Sequence, residues 1–130
     1  MNAQQHRLKA ERIERSLSSL GDVDHEMKIE AAMLAGTHWA NYALHRRGVT
    51  PDHEDIVHTS MLVVNWLRKY SIAEGELLLA LAEIEELRPL HVRGDAPGGG
   101  AAAARALQLL EQIGHRARRA PCRSPEEIRA

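Results

Sequence analysis

A chain of 130 residues makes one domain, large enough to bury about two thirds of the surface its unfolded chain exposes without help from cross-links. Cys122 is the only cysteine, which excludes an intrachain disulfide framework and a cysteine-built zinc site and points to a reducing, cytoplasmic setting. The formal net charge of −1 conceals basic ends (Arg7, Lys9, Arg12 and Arg15; Arg105, Arg116, Arg118, Arg119 and Arg123) around an acidic middle (Glu74, Glu76, Glu83, Glu85 and Glu86), a mixture that suits solvated helix faces better than a nucleic-acid footprint.

In chain order, the N-terminal stretch is polar and lacks the apolar core of a signal peptide. It should form a helix over residues 3–20, with Leu8, Ile13, Leu17 and Leu20 on the apolar side and Gly21 as the stop. A second helix opens at Asp22 or Asp24, where a carboxylate can cap free N–H groups, and ends at Gly48. One of its stripes is Met27, Ala31, Leu34, His38, Tyr42 and His45; the other is Ile29, Met33, Gly36, Ala40 and Ala43. Two apolar or small faces predict a central helix, and the small residues predict close approach by a neighbour.

Thr50-Pro51 reads as the cap and first residue of a third helix, running to about Tyr70. Ser71 and Glu74 have the spacing of a capping box that would start a fourth, with Leu77, Leu81, Ile84 and Leu87 inward and Pro89 at its end. Residues 93–100, with three consecutive glycines, read as a flexible connection. A fifth helix over 101–118 should bury Leu107, Leu110 and Ile113. No segment alternates with period two, and no apolar run approaches the roughly 20 residues that cross a bilayer. The expected fold is all-α, an antiparallel bundle of four to five helices over residues 1–120 with a flexible tail at 121–130.

Eight histidines raise the question of metal. Asp22 with His25, and Asp55 with His58, each set a carboxylate and an imidazole three residues apart, as helix-bundle di-metal proteins do. Asp22, His25, Asp55 and His58 are therefore one candidate metal set, against the plainer expectation of capping aspartates, surface histidines and no cofactor. His38, Tyr42 and His45 share a face of the second helix as candidate binding residues, with His53, His58 and His91 as partners that could set their protonation. Trp39 and Trp66 are candidate docking anchors or plain core. No phosphate loop or nucleophile motif is present.

Residues 30–44, the following turn and Ile56-Val57-His58-Thr59 resemble the HEPN superfamily, as does Ile84-Glu85-Glu86-Leu87-Arg88-Pro89-Leu90-His91-Val92-Arg93 late in the chain. The resemblance implies a helical bundle, commonly a homodimer, acting either as a non-catalytic or nucleotide-binding partner of a nucleotidyltransferase-type protein or as a metal-independent RNA nuclease. For the nuclease branch it implies an Arg and a His four to six residues apart. Arg47 and His53, with five residues between them, have that spacing but at another place in the chain, whereas Arg88 and His91 have the place but only two residues between them. In either pair the Arg would hold a phosphate and the His would handle a proton.

Overall fold

The computed structural model describes the backbone of residues 1–56 and 60–121, and the side chains of those residues outside 60–73. It is all-helical: α1 (Ala3–Ser16), a 3-10 turn (Leu17–Ser19), α2 (His25–Arg46), α3 (Ser60–Arg88), a π-turn (Pro89–Arg93) and α4 (Gly99–Arg118). Among the described residues there is no strand, and no helix is long and apolar enough to cross a membrane.

α1 starts on a capping box in which Asn2 Oδ1 accepts the Gln5 N–H at 2.8 Å and Gln5 Oε1 accepts the Asn2 N–H at 2.8 Å. Two orphan donors of the first turn are thereby satisfied. Its inward face differs from the expected one: Leu8 is exposed, and the buried residues are His6 and Ala10, continued by the partly buried Ile13 and Leu17. The i, i+4, i+3 rhythm is helical, but its first member is a histidine.

α2 is the central helix and packs against α1, α3 and α4. Ile29, Met33, Gly36, Ala40 and Ala43 are buried as the small-residue stripe requires, while Met27 and Leu34 of the other stripe are exposed. At Gly36 an added Cβ would sit 3.0 Å from Leu81 Cδ1 and 3.4 Å from Ile113 Cδ1, so glycine is what lets both α3 and α4 close on this point. Asp24 does occupy the N-cap, yet its carboxylate accepts the Gly21 N–H at 2.6 Å and closes the preceding turn instead of capping the helix. Two residues past the end of α2 the chain turns at Gly48, whose φ of +73° is the left-handed conformation that glycine adopts without penalty.

Three expected boundaries are displaced. Thr50-Pro51 starts no helix: residues 51–54 form a turn closed by the Glu54 N–H on the Pro51 carbonyl at 3.0 Å, and α3 begins at Ser60. The expected third and fourth helices are both present along α3, but the break between them falls at Glu74, whose φ of −140° and ψ of 51° are not helical, three residues after the expected start at Ser71. The Glu74 carboxylate is buried against Arg47, and the Ser71 side chain of the expected capping box lies outside the described residues. The glycine run is not a free linker either. Gly98, at φ +90°, turns the chain, and Gly99 and Gly100 form the first turn of α4 beneath the His25 ring, where Cβ atoms would meet it at 3.3 and 3.4 Å. Beyond them Ala102, Ala103, Ala106, Leu109, Leu110, Ile113 and Ala117 complete the core with Leu77, Leu78, Leu81 and Ile84 of α3.

Candidate functional site

The chemistry-bearing residues converge at the C-terminal end of α2. His45, on its last turn, is buried. Two turns up the same helix, His38 faces the same side, and across from both lies His6 of α1. The loop after α2 returns Asp55 to this point. Asp55 Oδ1 accepts hydrogen bonds from His6 Nε2 at 2.8 Å and from His45 Nε2 at 2.7 Å. Its other oxygen lies 3.2 Å from the Met1 amine, which also donates to the Asp52 carbonyl at 2.9 Å.

The far side of each ring is occupied as well. His45 Nδ1 is 2.7 Å from the Thr50 hydroxyl and 3.2 Å from the Thr50 carbonyl, and His6 Nδ1 is 2.9 Å from His38 Nδ1. With hydrogen on both Nε2 atoms, His45 Nδ1 accepts from the Thr50 hydroxyl and His6 Nδ1 accepts from His38. The opposite tautomers would set two bare Nε2 lone pairs against an oxygen that can only accept, so the ionised Asp55 carboxylate fixes the hydrogen on both Nε2 atoms. Thr50, expected as a helix cap, is thus a buried partner that orients His45.

Asn41 holds the loop in place. It is buried beside the cluster, its Oδ1 accepts the Ile56 N–H at 2.7 Å, and its Nδ2 donates to the Ile56 carbonyl at 3.2 Å. This two-point clasp on the backbone next to Asp55 replaces the partners that a strand or helix would supply. Electrostatics follow the geometry. Burial works against the Asp55 carboxylate, but the hydrogen bonds from His6, His45 and the Met1 amine outweigh it and hold the group at about 2, below its ordinary 3.8. Burial pushes the His6 imidazole below its ordinary value, against the opposing pull of Asp55.

His6, His45 and Asp55 each offer one donor atom, all within 4.8 Å of one another. Two imidazoles and a carboxylate suit a divalent transition metal. Bonds of about 2.0–2.2 Å in a tetrahedral arrangement set donors about 3.3 Å apart, so replacing the two shared hydrogens by a metal needs movements of under about 1 Å. The partners on both Nδ1 atoms are those that hold ligating histidines in register. The residues therefore fit the group.

The other candidate residues are dispersed. His25 begins α2 against Gly99 and Gly100, and the twenty residues from there to His45 rise about 30 Å. Asp22 and His25 accordingly share no site with Asp55, and His58 lies outside the described residues. Trp39 is not a surface anchor: it is fully buried, donates from Nε1 to Glu14 at 2.6 Å, and carries the Arg118 guanidinium 4.3 Å above its ring. Tyr42 is buried edge-on to it at 5.6 Å. The Trp66 side chain is outside the described set.

Neither Arg and His pair is poised for a phosphate. Arg88 is held by Glu30 at 2.6 Å and Glu85 at 2.8 Å, and His91 sits in the π-turn with its Nδ1 buried and unpartnered. Arg47 turns to Glu74, while His53 is exposed on the loop. The basic ends are largely neutralised too, Arg7 by Glu11, Arg105 by Glu83 and Arg116 by Glu76. Comparison with family models, with curated proteins and with solved structures returns no match.

Proposed function

We propose that this protein is a divalent-metal-binding helical bundle whose ligands are His6, His45 and Asp55. The observation that carries the reading is the convergence of three donor atoms within 4.8 Å, backed by partners on the far nitrogen of each imidazole. Three protein ligands leave coordination open, and a metal bound there would supply Lewis acidity to a water or a substrate oxygen. Thr50 and His38 orient the rings, and Asn41 fixes the segment that carries the carboxylate. Hydrolytic chemistry on a small substrate is the reaction class that such an open site serves.

The test is calorimetric titration of chelator-treated protein with zinc. Uptake of one equivalent is expected, with thermal stabilisation of about 2.7 kcal/mol at a hundredfold excess over Kd. His45→Ala and Asp55→Asn should both abolish the saturable phase. Absence of that phase in the parent protein, or its survival in both variants, refutes the assignment.

The partner-binding role that follows from the HEPN resemblance is a second reading, supported by the all-helical fold and by Met27 and Leu34 exposed on the central helix. It calls for an antiparallel bundle that forms a homodimer. A sizing column with in-line mass determination should then give twice 14.5 kDa, and a monomer at all concentrations would remove that reading while leaving the metal site untouched.

A further inference from the structure

A second place in the fold has the makings of a binding site, and it lies where α3 bends. Beside Glu74 a cavity of about 500 Å³ opens between α3 and the last turns of α4, a size within the range of small-molecule sites. Its walls include Leu77, Ala80 and Ile113, and its rim carries His115, Arg116 and Arg119 together with the Glu76 carboxylate, which pairs with Arg116. Glu74 lines it from within and is 1% exposed, although a carboxylate at that depth ordinarily has every lone pair answered.

Only half of this one is answered. Glu74 Oε1 accepts from Arg47 Nε, while Glu74 Oε2 is buried without any hydrogen-bond partner. Arg116 Nε lies 4.0 Å from Oε2, beyond hydrogen-bond reach, and Arg116 commits its Nη1 to Glu76 at 2.9 Å. Arg119 makes no ion pair among the described residues. The site thus has a buried acceptor inside and, in Arg119, one uncommitted positive charge at the mouth beside the Arg116 and Glu76 pair. The backbone end of α4 is the negative pole of that helix, so any anion there is held by the side chains alone.

The geometry points to a small organic phosphate that carries an exocyclic amine, of the mononucleotide class: the amine enters first and donates to Glu74 Oε2, the ring lies along Leu77 and Ile113, and the phosphate rests on Arg116 and Arg119. A free amino acid would leave most of this volume unfilled, and a phosphate without an amine would leave Oε2 unanswered. Glu74 is then a selectivity residue, because a site built to receive an N–H rejects the analogue that offers an oxygen instead. The site is independent of the His6, His45 and Asp55 cluster and stands whether or not that cluster binds metal.

The experiment is calorimetric or NMR titration of the full chain with AMP, with IMP as the matched probe that presents a carbonyl in place of the amine, and with inorganic phosphate. AMP should bind at least about tenfold more tightly than IMP, and Glu74→Gln should erase that preference while leaving phosphate binding as it was. Because Glu74 is buried and the variant can misfold, Arg119→Ala provides a second arm at an exposed position. It should weaken AMP and phosphate alike with unchanged helicity. Equal affinity for AMP and IMP, absence of AMP binding, or full AMP affinity in Arg119→Ala each overturns the proposal.

Discussion

Replacing Asn41 by alanine tests the link between the helical core and the histidine cluster. The side chain is 1% exposed and its amide takes both backbone groups of Ile56, the N–H at 2.7 Å and the carbonyl at 3.2 Å. A third bond, from Nδ2 to the Thr37 carbonyl at 3.1 Å, is worth little, since that carbonyl already serves the helix. Truncation leaves two backbone groups without partners beside a buried Ile56. At about 1–3 kcal/mol for each buried orphan, the cost is about 2–6 kcal/mol. The loop can limit the loss by peeling away, but it then exposes the Ile56 side chain, worth about 1.5–3 kcal/mol.

Both routes converge on a loss of about 2–4 kcal/mol, and for a chain of this size each kcal/mol lowers Tm by about 4 °C. Thermal denaturation followed by circular dichroism should therefore show a fall of about 8–16 °C. Zinc titration of the same variant should show at least about tenfold weaker binding, because Asp55 is no longer presented. A variant with Tm within about 2 °C of the parent and the same zinc affinity would show that the loop is held by something other than Asn41, and the account of the site's construction would fail.

Gly36→Leu should destabilise the bundle by about 1–3 kcal/mol in urea titration, since the new side chain must displace Leu81 and Ile113 from both neighbouring helices; an unchanged midpoint would contradict the close approach. Trp39→Phe should cost about 1–3 kcal/mol by stripping Glu14 of its indole donor and Arg118 of its preferred ring face, and a neutral result would place Trp39 outside the structural role described. Acid should weaken the fold in two stages: the His6 value is lowered by burial, so its contribution is intact above about pH 6.5 and declines below it, and the depressed Asp55 carboxyl adds a loss that sets in below 3.8 and continues as pH falls through about 2. His6→Asn should flatten the urea midpoint between pH 7 and 5 relative to the parent, and identical slopes would refute the assignment of the first stage.

The readable part of the fold is the part governed by periodicity. The Ile29, Met33, Gly36, Ala40 and Ala43 stripe, the Leu77, Leu81 and Ile84 face and the Leu110 and Ile113 side all face inward, because in each case local spacing and tertiary packing agree. The readings that fail are those in which a residue with a strong local preference is claimed by a distant partner. Thr50 gives up a capping role to His45, Glu74 turns its carboxylate to Arg47, and Gly99 and Gly100 give up flexibility for close contact with His25.

The cluster itself was only half visible. His38, His45 and Asp55 stand out by residue type, but the third donor, His6, lies on the most polar helix of the chain, 39 positions before His45. Its one local signal is a place in the rhythm of Ala10, Ile13 and Leu17, which an apolar count passes over. Asn41 gave no signal at all, since its partner is backbone fifteen residues away.

The manner in which α1 is attached gives the molecule two levels of cohesion. Its fully buried residues are only His6 and Ala10, and its firmest ties to the rest are polar, His6 to Asp55 and Glu14 to Trp39. α2, α3 and α4 instead share a continuous aliphatic interior. The first helix should therefore be the first to open, and faster amide hydrogen exchange over residues 3–16 than over α2 is the expected result. Such an opening would take the His6 ring away from Asp55 and so disassemble the histidine cluster.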